Sequence, residues 1–288
     1  MEIIEINNDK YPNELLKISC PPQKIYAKGN INLINKTALA IVGSRKCTGY
    51  GVKYTKEFTK KISERDITIV SGFAIGIDSV AHEIASKYKG NTIAVMGAGF
   101  NYVYPEENKE LLKQILDNGG LIISEYPPEK EVNMKNFPKR NRIISGLAKG
   151  VLVIEAAYRS GSIITARYAL EQNKKVFCLP RNIGESKGIG TNELIKKGAI
   201  LVTSPDDILK EFNIIPKQKE FNITKEEQLI EIKEEYLEIY KYITYIPINI
   251  ELLIKKTGIP ISKINQQLIM MEIEGYIKSI PGNNYVRV

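Results

Sequence analysis

The 288-residue chain has no tryptophan, one histidine and three cysteines. Each scarcity excludes something. With His82 alone there is no imidazole cluster for a metal, and a Ser–His–Asp hydrolase would have a single candidate base. Cys20, Cys47 and Cys178 are odd in number, far apart and never CxxC, which argues for a reducing cytoplasm and against a zinc site. No apolar run reaches the roughly 18 residues of a membrane span, and the acidic start Met1-Glu2-Ile3-Ile4-Glu5 is not a signal peptide. The phosphate loop GxxxxGK[ST] is missing: Gly43 and Gly49 have the wrong spacing and no lysine. Met96-Gly97-Ala98-Gly99-Phe100 lacks the third glycine of a dinucleotide fingerprint, Tyr102 standing in its place. The expectation is a protein without metal, cofactor or membrane partner.

What is present is an ordinary globular composition, 43% hydrophobic and 26% charged, with 41 Lys and Arg against 33 Asp and Glu. The net charge of +8 favours a polyanionic partner. It is unevenly spread. Residues 221–288 carry eight basic and nine acidic side chains, so the remainder carries 33 against 24.

From Thr37 to Ile208 short apolar runs alternate with amphipathic stretches. Strands are predicted at Thr37–Val42, Ile67–Val70, Thr92–Met96, Leu121–Ser124, Val151–Glu155, Lys175–Leu179 and Ile200–Val202. Helices are predicted at Tyr50–Glu64, Ile77–Lys87, Glu106–Leu116, Arg140–Ala148, Ile163–Gln172 and Glu193–Lys197. Strands apolar throughout are covered on both faces, as in a parallel sheet. Right-handed crossovers then give an extended Rossmann-like, doubly wound, mainly parallel α/β sheet. In such sheets ligands sit beyond the carboxyl ends of the strands. The predicted organisation is a lead segment, 1–36, packed on the core domain; the Rossmann-like domain, 37–212; a linker, 213–221; and a small C-terminal winged-helix domain, 222–288. The last rests on helices at Glu226–Tyr242, Ile250–Lys256 and Ser262 to Glu274, followed by a hairpin turning at Pro281-Gly282-Asn283-Asn284.

Four motifs lie where strands end. Gly43-Ser44-Arg45 follows the first strand and offers a close backbone approach, a hydroxyl and a guanidinium to a phosphate. A tight turn with a solvated arginine is the plain alternative. Ser160-Gly161-Ser162 opens a helix and reads as an anion-binding N-terminus, an N-cap, or both. Gly188-Ile189-Gly190-Thr191-Asn192 leads into another helix. Phe137-Pro138-Lys139-Arg140-Asn141-Arg142 puts a ring beside three cations, the composition that single-strand binding uses. A core Phe137 followed by a solvated helix start is its alternative. Several such ends on one sheet edge make a row of anion sites, which suits a nucleic-acid backbone. His82 is expected to pack a helix. Asp78 and Glu155 are expected to organise loops, with no catalytic residue assigned.

These stretches, in this order, resemble the DNA-processing protein A (DprA/Smf) family over about residues 10–210. The likeness rests on Tyr11-Pro12, Ile41-Val42-Gly43-Ser44-Arg45, Ser71-Gly72-Phe73-Ala74, Gly76-Ile77-Asp78, Tyr104-Pro105, Ser124-Glu125-Tyr126-Pro127, Phe137-Pro138 with Arg140-Asn141-Arg142, Val153-Ile154-Glu155-Ala156, Ser160-Gly161-Ser162 and Gly190-Thr191-Asn192. The resemblance implies a cytoplasmic, homodimeric, non-enzymatic protein that binds single-stranded DNA and helps load the RecA recombinase on it in natural transformation and recombination. It implies DNA contacts at Arg45, Phe137, Arg140, Arg142 and Lys187; with the motifs above, the expected DNA-binding set is Gly43, Ser44, Arg45, Phe137, Lys139, Arg140, Asn141, Arg142, Ser160, Gly161, Ser162, Lys187, Thr191 and Asn192. Three departures stand out. Ile75 occupies a place where the family often has arginine. Pro180-Arg181-Asn182 replaces the usual Pro-Gly, with Arg181 a candidate compensating cation. Most of the helical N-terminal domain of many members is not seen.

Two other readings compete. A Rossmann-like nucleotide phosphoribohydrolase would need PGGxGTxxE, but the Gly-Gly is missing after Pro180 and Glu193 falls two residues after Thr191 instead of three. A winged-helix regulator of duplex DNA would need a basic recognition helix, whereas Lys263, Gln266 and Gln267 are accompanied by Glu272 and Glu274. Protein contact or dimer packing suits that helix better.

Overall fold

The computed structural model describes residues 1–88, 90–214, 233–244 and 247–287. They form two units, Met1–Pro216 and Lys217–Val288. The first runs β1 (Glu2–Glu5), α1 (Asn13–Leu16), β2 (Lys24–Gly29), β3 (Ala38–Val42), α2 (Gly49–Ser63), β4 (Thr68–Ser71), α3 (Ile77–Ser86), β5 (Thr92–Met96), α4 (Lys109–Asp117), β6 (Leu121–Ser124), α5 (Asn136–Leu147), β7 (Gly150–Val153), α6 (Gly161–Glu171), β8 (Lys175–Cys178), α7 (Ile189–Lys196), β9 (Ile200–Leu201) and α8 (Pro205–Glu211).

The strand order is β1-β2-β6-β5-β4-β3-β7-β8-β9. The seven strands β3 to β9 are parallel to one another. Every residue of β3, β4, β5, β6 and β7 is buried, as apolar strands covered by helices on both faces must be. Successive strands step outward from β3 to β6, and the chain then returns to place β7 on the other side of β3. The β3–β7 boundary is therefore the topological switch point, where loops on either side diverge and leave a crevice.

The sequence reading has no strand before Thr37. The structure has two: β2 pairs antiparallel with β6, and β1 antiparallel with β2. Residues 1–36 thus extend the sheet as well as packing on it, with Ile4, Tyr11, Leu15 and Ile25 in the core. Their signal was weak because β1 is an edge strand with only Ile4 buried. Helix α8 was also missed, although Ser204, Pro205 and Asp207 carry its capping box and first-turn proline. Helix α5 begins at Asn136, four residues before the predicted start, because Pro138 sits in the first turn, where its missing N–H has no helical partner to lose. Likewise α7 begins at Ile189, so Gly190-Thr191-Asn192 lies inside the helix and not in a loop before it.

The second unit contains α9 (Glu234–Tyr240), β10 (Ile248–Asn249), α10 (Ile250–Thr257), α11 (Ile261–Ile273), β11 (Ile277–Ile280) and β12 (Asn284–Arg287). Its strands form an antiparallel sheet in the order β10-β12-β11, and Tyr236, Ile239, Leu253, Ile264, Leu268 and Met271 fill the core of a winged helix. Residues 226–232 of the predicted first helix, and the predicted linker from 215 onward, lie outside the described residues. Among the described residues, no helix is long and apolar enough to cross a membrane.

Candidate nucleic-acid interface

At the switch point lies an open cleft of about 450 Å³. Gly43, Ser44 and Arg45 line it from the loop after β3, Ala74 from the β4–α3 connection, Asp78 from the first turn of α3, and Phe137, Arg140 and Asn141 from α5. Ser160, Gly161 and Ser162 line it at the start of α6, and Lys187 lines it from the loop after β8. Arg45, Phe137 and Arg140 therefore share one groove.

The Gly43-Ser44-Arg45 turn is shaped from below. A Cβ on Gly43 would sit 2.6 Å from Ile77 Cγ1, and a Cβ on Gly76 would sit 2.6 Å from the Arg45 carbonyl oxygen. Gly76 also has φ +85°, so only glycine lets α3 begin so close to this loop. Gly76→Ala is expected to destabilise the first unit by about 2 kcal/mol or more, read as a lower urea midpoint. The Ser44 hydroxyl accepts from the Lys46 N–H at 3.2 Å and donates to the Lys46 carbonyl at 3.0 Å. It is spent on folding the turn, and what the turn presents is the exposed Arg45 side chain.

Beyond the turn, Glu155 is fully buried. Its carboxylate accepts from the Thr48 N–H at 3.0 Å, from the Thr48 hydroxyl and from Arg181 Nη1 at 2.8 Å. Arg181 lies 4.1 Å from the Tyr50 ring centroid and also pairs with Glu185. With its side chain 8% exposed, Arg181 is a brace between loops and not the compensating cation expected for the groove.

Across the cleft, Ser160 makes no side-chain cap to the α6 backbone; its hydroxyl lies 2.7 Å from that of Ser162. The Gly161 and Ser162 amides have no acceptor among the described residues. A helix start with free N–H groups beside hydroxyls is an anion seat. Asn141 ties α5 to this end, donating from Nδ2 to the Gly161 carbonyl at 3.2 Å.

Two aromatic rings stand at the same rim. Phe137 is half-buried and its centroid is 5.3 Å from that of Tyr104, which is 38% exposed. A Cβ on Gly97 would be 2.8 Å from Phe137 Cδ1, so this glycine makes room for the ring, while Gly99 lets the Pro127-Pro128 backbone approach. Tyr104 was not singled out as a site residue from sequence; only the fold brings its loop beside α5.

Four predicted contacts fall elsewhere, and one within the groove changes character. Lys139 and Arg142 face a second cleft, with Glu125, Tyr126 and Gln172. There Arg142 pairs with Glu125 at 2.5 Å and donates to the Cys20 carbonyl at 2.9 Å, tethering the N-terminal segment. Thr191 is fully buried, and Asn192 holds the Arg181 backbone through both its N–H and its carbonyl. Arg140 lies on the groove floor but is only 4% exposed. Its Nη1 donates to the carbonyls of Gly72 (2.7 Å) and Val95, and Nε to Asn141 Oδ1 at 3.2 Å. Burial lowers its pKa to about 10, against the pull of Asp78. Asp78 accepts from the Gly72 N–H at 3.1 Å, and burial raises its carboxyl to about 6. His82 is fully buried with Nδ1 2.7 Å from the Thr92 hydroxyl, and burial depresses its pKa to about 3, as a packing histidine requires. Among the described residues no group of three or more His, Cys, Asp and Glu could hold a metal ion.

Comparison with known proteins shows the family. The family model described as DNA recombination-mediator protein A matches residues 2–213, and that described as DprA winged helix domain matches residues 225–283. The chain is 38% identical to Protein Smf of Escherichia coli (strain K12) over 99% of this chain and 77% of that protein. It is 41% identical to DNA processing protein DprA of Bacillus subtilis (strain 168) over 72% of this chain and 70% of that one. The solved structure of DNA processing protein A from Streptococcus pneumoniae matches with a TM-score of 0.69 at 41% identity, over 73% of this chain and 74% of that one. DNA processing protein A from Helicobacter pylori, whose structure is described for its unique single-stranded DNA binding mode, matches with a TM-score of 0.66 at 30% identity, over 74% of this chain and 96% of that one. With both units matched, the chain belongs to the DNA-processing protein A (DprA/Smf) family and is a DNA-processing protein.

Proposed function

We propose that this protein binds single-stranded DNA in the switch-point groove and helps load the RecA recombinase on it, without catalysing a reaction. The observation that carries the reading is the convergence, in one cleft, of an exposed guanidinium at Arg45, free helix amides at Gly161 and Ser162, and the half-buried ring of Phe137 beside Tyr104. Cation and amides suit successive phosphates, and the rings suit a base whose face is open, which only an unpaired strand offers. The two buried carboxylates beside the site, Asp78 and Glu155, are both held in loop-shaping hydrogen bonds, which favours a binder over a hydrolase. Recombinase loading draws on the family's description as a recombination mediator. A cytoplasmic place suits Cys20, Cys47 and Cys178, which are all free thiols.

The winged helix fits protein contact, including homodimer packing, better than duplex reading. Helix α11 exposes Ile261, Ile269, Met270 and Ile273 beside its lone Lys263. The test is a titration of fluorescent oligonucleotide, single- against double-stranded, at two ionic strengths. Preferential, salt-weakened binding of the single strand is expected; equal or stronger binding of duplex would move the function to the second unit. Phe137→Ala is expected to lower single-strand affinity by about 1–3 kcal/mol while leaving the salt slope unchanged, since a ring contributes stacking and releases no counterion.

A further inference from the structure

Beside the main groove, and sharing Arg45, Ala74, Phe137 and Arg140 with it, is a smaller hollow of about 180 Å³. It falls below the roughly 300–1,000 Å³ of pockets that take drug-sized ligands, so its natural occupant is a single ring system. Its lining includes the adjacent rings of Tyr104 and Phe137 together with Phe73, Ala74 and Ile75. The one acidic side chain lining it is Glu107, which is exposed and makes no ion pair or hydrogen bond among the described residues. A free carboxylate in a site for a polyanion is unfavourable towards phosphate, so its presence calls for a partner of donor character.

We propose that this hollow seats one nucleobase and that Glu107 makes it selective, favouring guanine and disfavouring thymine. This rests on the proposed single-strand binding. An ionised carboxylate only accepts hydrogen bonds. Guanine presents N1–H and the N2 amino group side by side, a pair of donors matching the two oxygens of Glu107. Cytosine and adenine present one exocyclic amino group each on the corresponding edge. Thymine presents N3–H between two carbonyl oxygens, which a carboxylate repels. The rings of Tyr104 and Phe137 accept any base with only modest preference, so strong selectivity falls to the carboxylate. Arg45 and Arg140 line the same hollow, but neither pairs with Glu107 among the described residues, and Ile75 adds no further cation.

The test uses the full chain and a fluorescein-labelled dT oligonucleotide in which a single dG is moved along the sequence. One register is expected to bind about fivefold or more tightly than all-dT, the lower end of what a bidentate base contact supplies. Replacing that dG by deoxyinosine, which lacks the N2 amino group, is expected to remove most of the gain. Glu107→Ala is expected to bind all-dT more tightly, having lost a charge that repels phosphate, while the dG advantage disappears. Because the advantage is a ratio measured on one variant, a general change in affinity cancels from it, and substitution of this exposed residue leaves the core intact. A dG advantage of unchanged size in Glu107→Ala, or none in the unaltered protein that still binds all-dT, would overturn the proposal. Absence of binding to every oligonucleotide would instead remove the single-strand reading and this one with it.

Discussion

Arg45→Ala is expected to weaken single-stranded DNA binding by about tenfold, the lower end of the ~1.5–3 kcal/mol carried by a hydrogen bond to a charged group. Arg45→Glu should weaken it by about a hundredfold, since a repulsive charge then replaces the attractive one. The Arg45 side chain makes no ion pair or hydrogen bond among the described residues, and it is exposed on a turn whose shape is set by Ser44 and Gly76. Its loss therefore leaves packing untouched, and the melting temperature is expected to hold. The diagnostic is ionic strength. Losing one phosphate contact lowers the slope of log affinity against log salt by about 0.7 for a single strand. An affinity and slope both equal to those of the unaltered protein would move the phosphate path out of this groove. The Lys139–Arg142 cleft on the other side of α5 would then be the place to look.

Arg140→Ala is expected to act on stability first. Arg140 is buried beside Asp78, also buried, and it is the donor to the Gly72 and Val95 carbonyls. Arg140 and Asp78 are not in direct ion-pair contact, but removing Arg140 takes this donor from two buried carbonyls and the nearby positive charge from Asp78, at a cost of about 3–5 kcal/mol. That is a large share of the roughly 5–15 kcal/mol that holds a domain folded. A melting temperature like that of the unaltered protein would show that the guanidinium is not committed to the core. Asp78→Asn added to Arg140→Ala is expected to recover part of the loss, since the orphaned charge is then gone.

The pH dependence has a definite sign. Burial raises Asp78 from 3.8 to about 6, with the charge of Arg140 opposing that rise. Between those values the folded protein keeps a proton that the unfolded chain has released, so this group's contribution to stability falls as pH rises through that window. His82 runs the other way: burial lowers it from 6.5 to about 3, with Arg140 adding to the effect, so its contribution is lost as pH falls below 6.5. Without Arg140, Asp78 moves further up and His82 is less depressed. Both changes favour the variant in acid. Its stability deficit is therefore expected to be smaller at pH 5 than at pH 8, measured by urea unfolding at each.

The contrast between Arg45 and Arg140 shows how far sequence reading reaches. Phe137, Lys139, Arg140 and Arg142 read as one basic aromatic cluster, but helical geometry separates them. Phe137, Arg140, Asn141 and Ile144 are spaced i, i+3, i+4 and i+7 and turn one face of α5 to the groove. Lys139 and Arg142 lie on another face, against the N-terminal segment. With the helix taken to start at Arg140, that periodicity could not be applied to Phe137 and Lys139. Thr191 and Asn192 were misplaced for a similar reason, lying within α7 where their side chains hold the chain instead of a ligand. Tyr104 stood in the family motif Tyr104-Pro105, but nothing local marked it as a site residue, and the antiparallel strands β1 and β2 had a faint signal.

What the order of residues determined by itself was local and additive: apolar runs too uniform for anything but doubly covered strands, glycines and hydroxyls at strand ends, a basic excess confined to the first unit, and motifs in the register of the family. The parallel alternation followed, and with it the crevice at the reversal of strand order. Which cation meets solvent, and which is sealed against a carboxylate, was decided only by tertiary packing. A guanidinium looks the same in a sequence whether water or Asp78 surrounds it, and the free energy of its charge depends on those surroundings.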